Sequence, residues 1–476
     1  MKRTIGSLAA AALIGVASFG PARLASAQTN AYGTAFSSAI TYQNVGAASA
    51  TIQFGFQNEA NGTVINVTRT LAAGAAGSLA VGNLTELASF TGSGSAVVSS
   101  DQPIVATVVQ LPAAASAVKN RPLYNGFSAA DGANSYLIAT VLNNKFNSTT
   151  KFSVQNVDTS AVNLTVRFYN AESTPPGALV ATSTVSNLPV GASKSFDAGA
   201  ALPGAGSLPA GFNGSATIEA TGKVVASALE LSTTGTAASA FEGMRGGATK
   251  VYMPSAICNM FNGQNTAYAV QNTSTSGTAT VTATYSNGAT ETKQVAAGAK
   301  ASFLGCGPSS TPFSGSAVLT STGGNIAAIM KVFGGGMSTA TPGATTGASK
   351  LALPYVRWSE SRYSQTGARQ RAFIAIQNVG TTDIAANQVT VRYVDKNGTV
   401  VGTHTLGALA AGAKANSNPS LIGAAGAEFG YYTDGTFGGG AIIQGPAGSQ
   451  LVAVVRILTP TITPTTGEDY NGIPIQ

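Results

Sequence analysis

Apolar and polar residues alternate with a period of two in four segments of the chain, which is the pattern of a β-strand with one buried face. Arg167 and Arg392 occupy alternate positions in two of these segments and are predicted to face water. The residues predicted to point inward are Ile52, Phe54 and Phe56, then Leu164, Val166 and Phe168, then Val281, Ala283 and Tyr285, and finally Val389, Val391 and Tyr393. Four similar strands at long intervals indicate a repeated unit.

A Gln-Asn pair precedes each of these strands, and the intervals between successive pairs are 112, 116 and 106 residues. Each interval is the size of one β-sandwich domain. The pairs begin at Gln43, Gln155, Gln271 and Gln377, the Gly-Ala bends at Gly74, Gly191, Gly298 and Gly412, and the Gly-Ser-Ala segments or their variant at Gly94, Gly214, Gly315 and Gly439. Short strands separated by turn signals predict an antiparallel sandwich of about seven strands in each copy.

A short motif of an aromatic residue, one further residue and glycine follows three of the copies. It reads Tyr124-Asn125-Gly126, Phe241-Glu242-Gly243 and Tyr470-Asn471-Gly472. Because no further copy comes after the last of these, we predict that the motif completes the copy before it, with its aromatic side chain docked on that copy. The third copy lacks the motif, which predicts a looser joint between copies three and four.

The N-terminus has the order of features that is typical of a signal peptide. Lys2 and Arg3 precede an apolar stretch over residues 8–19, and Ala25-Ser26-Ala27 supplies small residues for cleavage. Residues 334–349 carry no charge and no aromatic residue, which predicts a flexible spacer. The predicted organisation is a signal peptide at 1–27, β-sandwich repeats at 28–128, 129–246, 247–333 and 350–476, and a linker at 334–349. A row of such modules extends to roughly 150 Å.

Taken together, the Val-Gln-Asn sequence, the alternating strand, the Gly-Ala bend, the Gly-Ser-Ala segment and the Tyr-Asn-Gly motif resemble the tandem Ig-like repeats of bacterial secreted and cell-surface proteins. The resemblance covers nearly all of the chain after residue 27. It implies an all-β protein with four tandem Ig-like antiparallel β-sandwich domains behind a signal peptide, located outside the cell or at its surface. Its motifs are structural, so it implies no active-site residue.

Charged residues make up 9% of the chain, against roughly 25% in typical soluble domains. The formal charge is +7 and falls to +4 once Lys2, Arg3 and Arg23 leave with the signal peptide. A small charge spread along the chain, without a basic cluster, predicts no nucleic-acid partner. The N-terminal apolar run is about a dozen residues long, whereas a membrane span needs roughly 20. We therefore predict no membrane span.

Few residues suggest chemistry. Cys258 and Cys306 lie in the third copy and are predicted to form a disulfide in an oxidising compartment, because a metal or redox site lacks supporting residues nearby. His404, the single histidine, lies in a predicted strand without the motif of a catalytic serine. We predict no catalytic residue, no metal site and no cofactor. A pair of carboxylates that meet across strands stays open as an alternative.

The fourth copy opens with an aromatic and basic loop that holds Arg357, Trp358, Arg362 and Tyr363. Such a loop is a candidate for contact with a sugar ring or an acidic polymer, and the alternative is an aromatic side chain that covers the edge of its own domain. The sequence favours a secreted structural or adhesive protein without catalytic activity. Its partner is an extracellular polymer, a surface component or another copy. The alternatives are a carbohydrate-binding protein that uses the loops of repeat 4 and, more remotely, a hydrolase with sites on sandwich loops.

Overall fold

The computed structural model describes residues 12–14, 36–113, 117–118, 120–173, 176–232, 237–309, 311–360, 370–434, 436–459 and 466–475, with the backbone alone for 12–14. Within these ranges the chain is all-β and its strands pair antiparallel. Short 3-10 helices span Val81–Asn83, Thr85–Leu87, Ala129–Asp131 and Pro419–Gly426. Across the same ranges, no helix has both the length and the hydropathy needed to span a bilayer.

The sheets divide the strands into four groups along the chain, here called repeats 1 to 4. Repeat 1 contains β1 (Ala12–Ile14), β2 (Phe36–Asn44), β3 (Ala50–Asn58), β4 (Val64–Leu71), β5 (Ala76–Ala80), β6 (Gly94–Ser100), β7 (Ile104–Pro112), β8 (Leu123–Asn125) and β9 (Phe127–Ser128). Repeat 2 contains β10 (Ala133–Asn143), β11 (Ser148–Asn156), β12 (Val162–Asn170), β13 (Ala178–Leu188), β14 (Ser193–Asp197), β15 (Phe212–Ser232) and β16 (Ala238–Glu242).

The second half of the chain continues in the same way. Repeat 3 contains β17 (Lys250–Cys258), β18 (Asn265–Asn272), β19 (Thr278–Tyr285), β20 (Thr290–Ala296), β21 (Lys300–Leu304), β22 (Phe313–Thr322), β23 (Ile326–Gly334) and β24 (Met337–Pro342). Repeat 4 contains β25 (Lys350–Leu353), β26 (Arg371–Asn378), β27 (Thr390–Asp395), β28 (Val400–Thr405), β29 (Lys414–Ser417), β30 (Gly439–Gln444), β31 (Leu451–Thr459), β32 (Thr466–Asn471) and β33 (Ile473–Pro474).

Repeat 3 shows the basic arrangement of two four-stranded sheets, with strand orders β17-β22-β19-β20 and β21-β18-β23-β24. Buried side chains of both sheets form one core. Repeat 2 differs because β15 is 21 residues long and serves both sheets. It pairs with β10 and β12 through its first half and with β11 and β16 through its second half. A repeat therefore has eight strand positions, one more than the sequence predicts.

The predicted half-buried strands are confirmed. None of the twelve residues predicted to point inward is more than 2% exposed, whereas Arg392 is exposed and Arg167 is half-buried. The glycines of the four Gly-Ala bends all have positive φ, between 71° and 77°. A side chain with a Cβ is strained in that conformation, which explains why glycine stands at this bend in every repeat.

Near its C-terminal end each repeat has a short strand, β8, β16, β24 or β32, which we call its tail strand. Tyr124, Phe241 and Tyr470 on three of these strands lie in the core of the repeat that they end, as predicted from the aromatic-x-Gly motif. The third tail strand, β24, ends in Thr341-Pro342 and is followed by Gly343 at the equivalent position. The prediction of a flexible linker at 334–349 is therefore wrong, because Met337–Pro342 within this segment form strand β24, which pairs with β23.

The repeats do not form an extended row. The tail strands contact one another in the cyclic order β8, β16, β24, β32 and back to β8, so repeat 4 packs against repeat 1. The four repeats thus close into a ring. We call the central line around which the four tail strands are arranged the axis. The predictions of a row of separate modules and of a looser joint between repeats 3 and 4 are both wrong. Apolar residues on the outer sheet faces explain this result, since Leu229 and Leu231 of repeat 2 are buried in the core of repeat 1.

Residues 12–14, within the predicted signal peptide, form strand β1. It lies in a sheet of repeat 1 with the order β4-β3-β6-β1-β9, paired with β6 on one side and β9 on the other. In the other three repeats this position belongs to the first strand of the repeat itself, which is β10, β17 or β25.

Candidate functional site

The repeated motifs meet at the joints between repeats. At the joint of repeats 1 and 2, the carbonyl oxygen of Gly191 in the Gly-Ala bend accepts two hydrogen bonds. One comes from Gln155 Nε2 of the same repeat at 3.0 Å, and the other from Ser95 Oγ of repeat 1 at 2.7 Å. The equivalent residues at the joint of repeats 2 and 3 are Gly298, Gln271 and Ser215, with the same two distances. The motifs therefore hold the ring together.

The other two joints use variants of this contact. Gln377 and Gln43 still bond their own bends, through the carbonyl oxygens of Gly412 and Gly74. At the joint of repeats 3 and 4, Lys414 Nζ donates to the carbonyl oxygen of Gly315 at 3.0 Å. At the joint of repeats 4 and 1, glycine replaces the serine of Gly-Ser-Ala, and a Cβ on this Gly440 would lie 2.9 Å from Gln43 Oε1. Close packing here takes the place of the serine hydrogen bond.

Replacing Ser95 or Ser215 by alanine is expected to lower the free energy of unfolding by about 1 kcal/mol each, because one buried hydrogen bond across a joint is lost. The double variant is expected to lose the sum, since the two joints are separate. Urea denaturation measures both effects. Ser78→Ala, at an exposed position of β5, is the control, and changes no larger than its own would contradict the role of these serines.

Polar side chains are buried along the axis. Asn120, 1% exposed, lies between three repeats: its amide donates to the carbonyl oxygens of Ala238 and Ser338, and its Oδ1 accepts from the Ala238 N–H at 2.9 Å. Farther along, Asp469 accepts from Thr339 Oγ1 of repeat 3 at 2.8 Å. Because these groups have partners across the joints, the repeats meet at the axis through specific polar contacts and not through an apolar interface alone.

Glu468 lies at the joint of repeats 4 and 1 and is 2% exposed. Its Oε1 accepts the backbone N–H of Arg121 at 2.9 Å, while its Oε2 has no partner in the described part of the chain. Burial raises the pKa of Glu468 to about 8, although the charge and the N–H of Arg121 act in the opposite direction. The folded chain therefore holds this proton more tightly than the unfolded chain does.

The sign of this shift sets a pH dependence. A carboxyl group with a raised pKa contributes stability in full below its ordinary pKa of 4.5, and loses that contribution as pH rises to about 8. Glu468→Gln is therefore expected to flatten the dependence of unfolding free energy on pH between 5 and 8. Denaturation at several pH values checks this, with Glu219→Gln on the surface as control. An unchanged slope in Glu468→Gln would show that the carboxyl group does not titrate in this way.

One end of the axis opens into a cavity of about 350 Å³, within the size range of small-molecule sites. All four repeats line it, with Phe127, Glu242, Ala344 and Asn471 as one residue from each. The tail strands bring these residues together because each strand ends at this level of the axis and the chain then turns at a glycine. We call this space the axial cavity.

Hydrogen bonds link the four tail strands beside the axial cavity. The backbone N–H of Asn125 donates to Glu242 Oε1 at 2.5 Å, and Asn125 Nδ2 donates to the Asn471 carbonyl oxygen at 2.9 Å. Asn471 Nδ2 in turn donates to the carbonyl oxygen of Pro342 at 2.8 Å. Every repeat takes part in this chain of bonds, so the cavity exists only while the ring is closed.

Glu242 is the ionisable group at the centre of this network. Burial raises its pKa to about 7, the Asn125 N–H acts in the opposite direction, and the nearby charge of Asp131 raises the pKa further. The group can therefore gain or lose a proton near neutral pH. With Arg245 also in the lining, the cavity can bind a small polar molecule through a carboxyl, amide and guanidinium group. The described residues include no group of three His, Cys, Asp or Glu suited to a metal ion.

The predicted ligand loop of repeat 4 is placed differently from the expectation. Arg357 and Trp358 are 3% and 4% exposed. The guanidinium of Arg357 donates to the carbonyl oxygens of Val356 and Gly439, and that of Arg371 lies 5.0 Å from the centroid of the Trp358 ring. The prediction that Arg357 and Trp358 are exposed for contact with a ligand is therefore wrong. The structure favours the alternative of an aromatic side chain that covers its own domain. Arg362 and Tyr363 lie outside the described residues.

The two cysteines lie at bonding distance, with Cys258 Sγ and Cys306 Sγ 2.10 Å apart. Cys258 is the last residue of β17, and Cys306 follows β21. Because β17 and β21 belong to different sheets, the disulfide ties together the two sheets of repeat 3.

His404 has a partner that sequence reasoning missed. Its Nδ1 lies 2.8 Å from Ser417 Oγ, which in turn lies 2.7 Å from the hydroxyl of Tyr393. Ser417 is 0% exposed, so a substrate cannot reach its hydroxyl. Burial lowers the pKa of His404. Ser417 and Tyr393 are buried and His404, on β28, is half-buried, so the three residues form a structural network rather than an arrangement for nucleophilic attack.

Comparisons with known proteins identify no family. No protein-family model matches the chain, and no curated protein matches it. One similar solved structure is described as a tetra-tandem repeat in the extending region of a large adhesion protein. It is 14% identical, with 95% of this chain and 98% of that chain covered, at a TM-score of 0.11. A TM-score this low carries no argument, so the function has to be argued from the residues of this chain.

Proposed function

We propose that this chain is an exported structural protein without catalytic activity, whose four Ig-like repeats form one ring-shaped building block at the outside of the cell. The observation that carries the proposal is the use of the repeated motifs. Ser95 and Ser215 donate across two joints to the bend carbonyl oxygens of Gly191 and Gly298, which Gln155 and Gln271 also bond from within their own repeats. In this proposal the residues of the repeated motifs serve assembly rather than a reaction.

Two further features support an extracellular building block. The N-terminal sequence has the order of a signal peptide, and a disulfide is the kind of crosslink that persists in an oxidising compartment. The partner in this proposal is an extracellular polymer, a surface component or a second copy of the chain. Adhesion or self-association is the expected activity.

A second candidate function is the binding of a small polar ligand such as a sugar, and the axial cavity favours it. Repeat 4 alone does not supply this site, since Trp358 is buried. Glu242, Asn125 and Arg245 are among the polar groups that a ligand would meet. Isothermal titration with a panel of sugars checks this candidate, and Glu242→Ala separates binding in the cavity from binding elsewhere.

Fractionation of expressing cells tests the principal proposal. The protein is expected in the medium or on the cell surface, with an N-terminus at Gln28 by sequencing, and electron microscopy is expected to show compact particles with four lobes. Recovery in the cytoplasm with residues 1–27 retained would contradict export. Turnover of a substrate, abolished by a single carboxylate substitution, would contradict the absence of catalysis.

A further inference from the structure

The strand position that β1 fills in repeat 1 has equivalent pairing partners in all four repeats. The residue paired with the alanine of Gly-Ser-Ala is Ile14 opposite Ala96, Ile138 opposite Ala216, Met253 opposite Ala317 and Leu353 opposite Ala441. On its other side the same strand pairs with the residue after the tail glycine: Leu13 with Phe127, Leu137 with Met244, Tyr252 with Ala344 and Ala352 with Ile473. The first strand of every repeat is therefore held from both sides.

Repeat 1 alone takes this strand from the predicted signal peptide. Ile138 precedes Asn156 by 18 residues, Met253 precedes Asn272 by 19 residues, and Leu353 precedes Asn378 by 25 residues. Counting back by these intervals from Asn44 places one of residues 19–26 opposite Ala96. Those residues, like Ala12–Ile14, lie before the predicted cleavage after Ala27. Cleavage thus removes both the strand that fills the position in the structure and the residues that the repeat spacing assigns opposite Ala96, and it leaves residues 29–31, which correspond to positions 141–143 at the end of β10.

Without this strand, β6 and β9 would face each other across a gap one strand wide. Backbone N–H and C=O groups of both would lack ladder partners, and unpaired strand edges of this kind readily accept another chain. Ala96 and Val98 on β6 are fully buried and belong to the core of repeat 1. The gap therefore needs an occupant.

We propose that, in the processed protein, the groove between β6 and β9 binds residues 28–35 of a second copy, so that two copies exchange N-terminal strands. This inference rests on the export and processing proposed above. The eight residues 28–35 correspond to positions 140–147 of repeat 2, beyond the residue opposite Ala216. By the repeat spacing, residues 28–35 of a copy therefore begin after the position opposite Ala96 of the same copy, so they do not pair with it. A second copy is free of that limit, and each copy offers one groove and one segment, as a two-fold dimer requires.

Sedimentation analysis of two chains tests the exchange. The chain 28–476 is expected to sediment as a dimer and the unprocessed chain 1–476 as a monomer, because β1 fills the groove. A full-length chain with Leu13→Pro, which cannot pair in the same way, is expected to dimerise. This variant keeps residues 1–27, so it distinguishes the effect of losing strand β1 from the effect of removing the residues themselves.

A peptide supplies the second measurement. A lysine-tagged peptide of residues 8–19 is expected to bind the chain 28–476 at one per chain and to halve its mass, whereas the same peptide with Leu13→Pro is expected to do neither. A chain 28–476 that is monomeric, or a dimer that the peptide leaves intact, would overturn the exchange. N-terminal sequencing reports on export and processing separately, so failure of either proposal can be told from failure of the other.

Discussion

Asp469→Ala is expected to lower the free energy of unfolding by about 3–5 kcal/mol, because it leaves a buried cation without its partner. Asp469 is 2% exposed and accepts two hydrogen bonds from Arg456, with Nε to Oδ1 at 2.9 Å and Nη2 to Oδ2 at 2.7 Å. It also accepts the hydroxyl of Thr339 from the neighbouring repeat. The substitution therefore damages both the fold of repeat 4 and the joint with repeat 3.

The matched control is Glu219→Ala, which removes an ion pair with Arg167 at 2.7 Å on the surface. Exposed pairs of this kind contribute about 0–1 kcal/mol. Urea denaturation of both variants gives the comparison. If Asp469→Ala costs no more than the control, the buried pair is not a major support of the ring.

Removing the disulfide with the double substitution Cys258→Ala and Cys306→Ala is expected to cost about 4 kcal/mol, the loop-entropy value for its separation of 48 residues. The physical reason is that the crosslink restricts the unfolded chain, and in the folded chain it ties the two sheets of repeat 3. Thermal unfolding of the oxidised protein, the reduced protein and the double variant measures the effect. Reduction of the parent protein is expected to reproduce the variant, and a melting temperature unchanged by both treatments would contradict the assignment.

The interior of each repeat could be predicted because the sheet has a simple period. Residues such as Phe54 and Val166 alternate with polar neighbours, and one buried face leaves no other register for the strand. Gly191 and the other bend glycines could be predicted in the same way, since a recurring glycine marks a backbone conformation that other residues avoid.

The ring could not be predicted in this way, because its contacts join residues far apart in the chain. Asn120 meets Ala238 and Ser338, and no local pattern links these positions. The third tail strand was missed because Thr341-Pro342 replaces the aromatic pattern and because a segment without charge resembles a spacer. A usable signal was present: a tail glycine follows the alanine of Gly-Ser-Ala by 27 to 31 residues in the other repeats, and Gly343 follows Ala317 by 26.

The axial cavity was missed for the same reason. Glu242 and Asn471 appear in the sequence only as members of a docking motif, and their convergence with Asn125 depends on ring closure. The Trp358 loop, by contrast, stood out by composition. An aromatic residue among arginines is equally consistent with a surface site and a buried stack, and only the burial of Trp358 distinguishes them.

Small-angle X-ray scattering of the purified unprocessed chain 1–476, which is expected to be a monomer, tests the closed ring most directly. A compact chain of this length has a radius of gyration of about 23 Å, and an open row of four sandwiches, roughly 150 Å long, has one of about 45 Å. We predict a monomer value close to the compact figure, with a scattering minimum in keeping with four lobes about an axis. A value near that of the open row would contradict the contact between repeats 4 and 1, and with it the axial cavity and the role assigned to the repeated motifs.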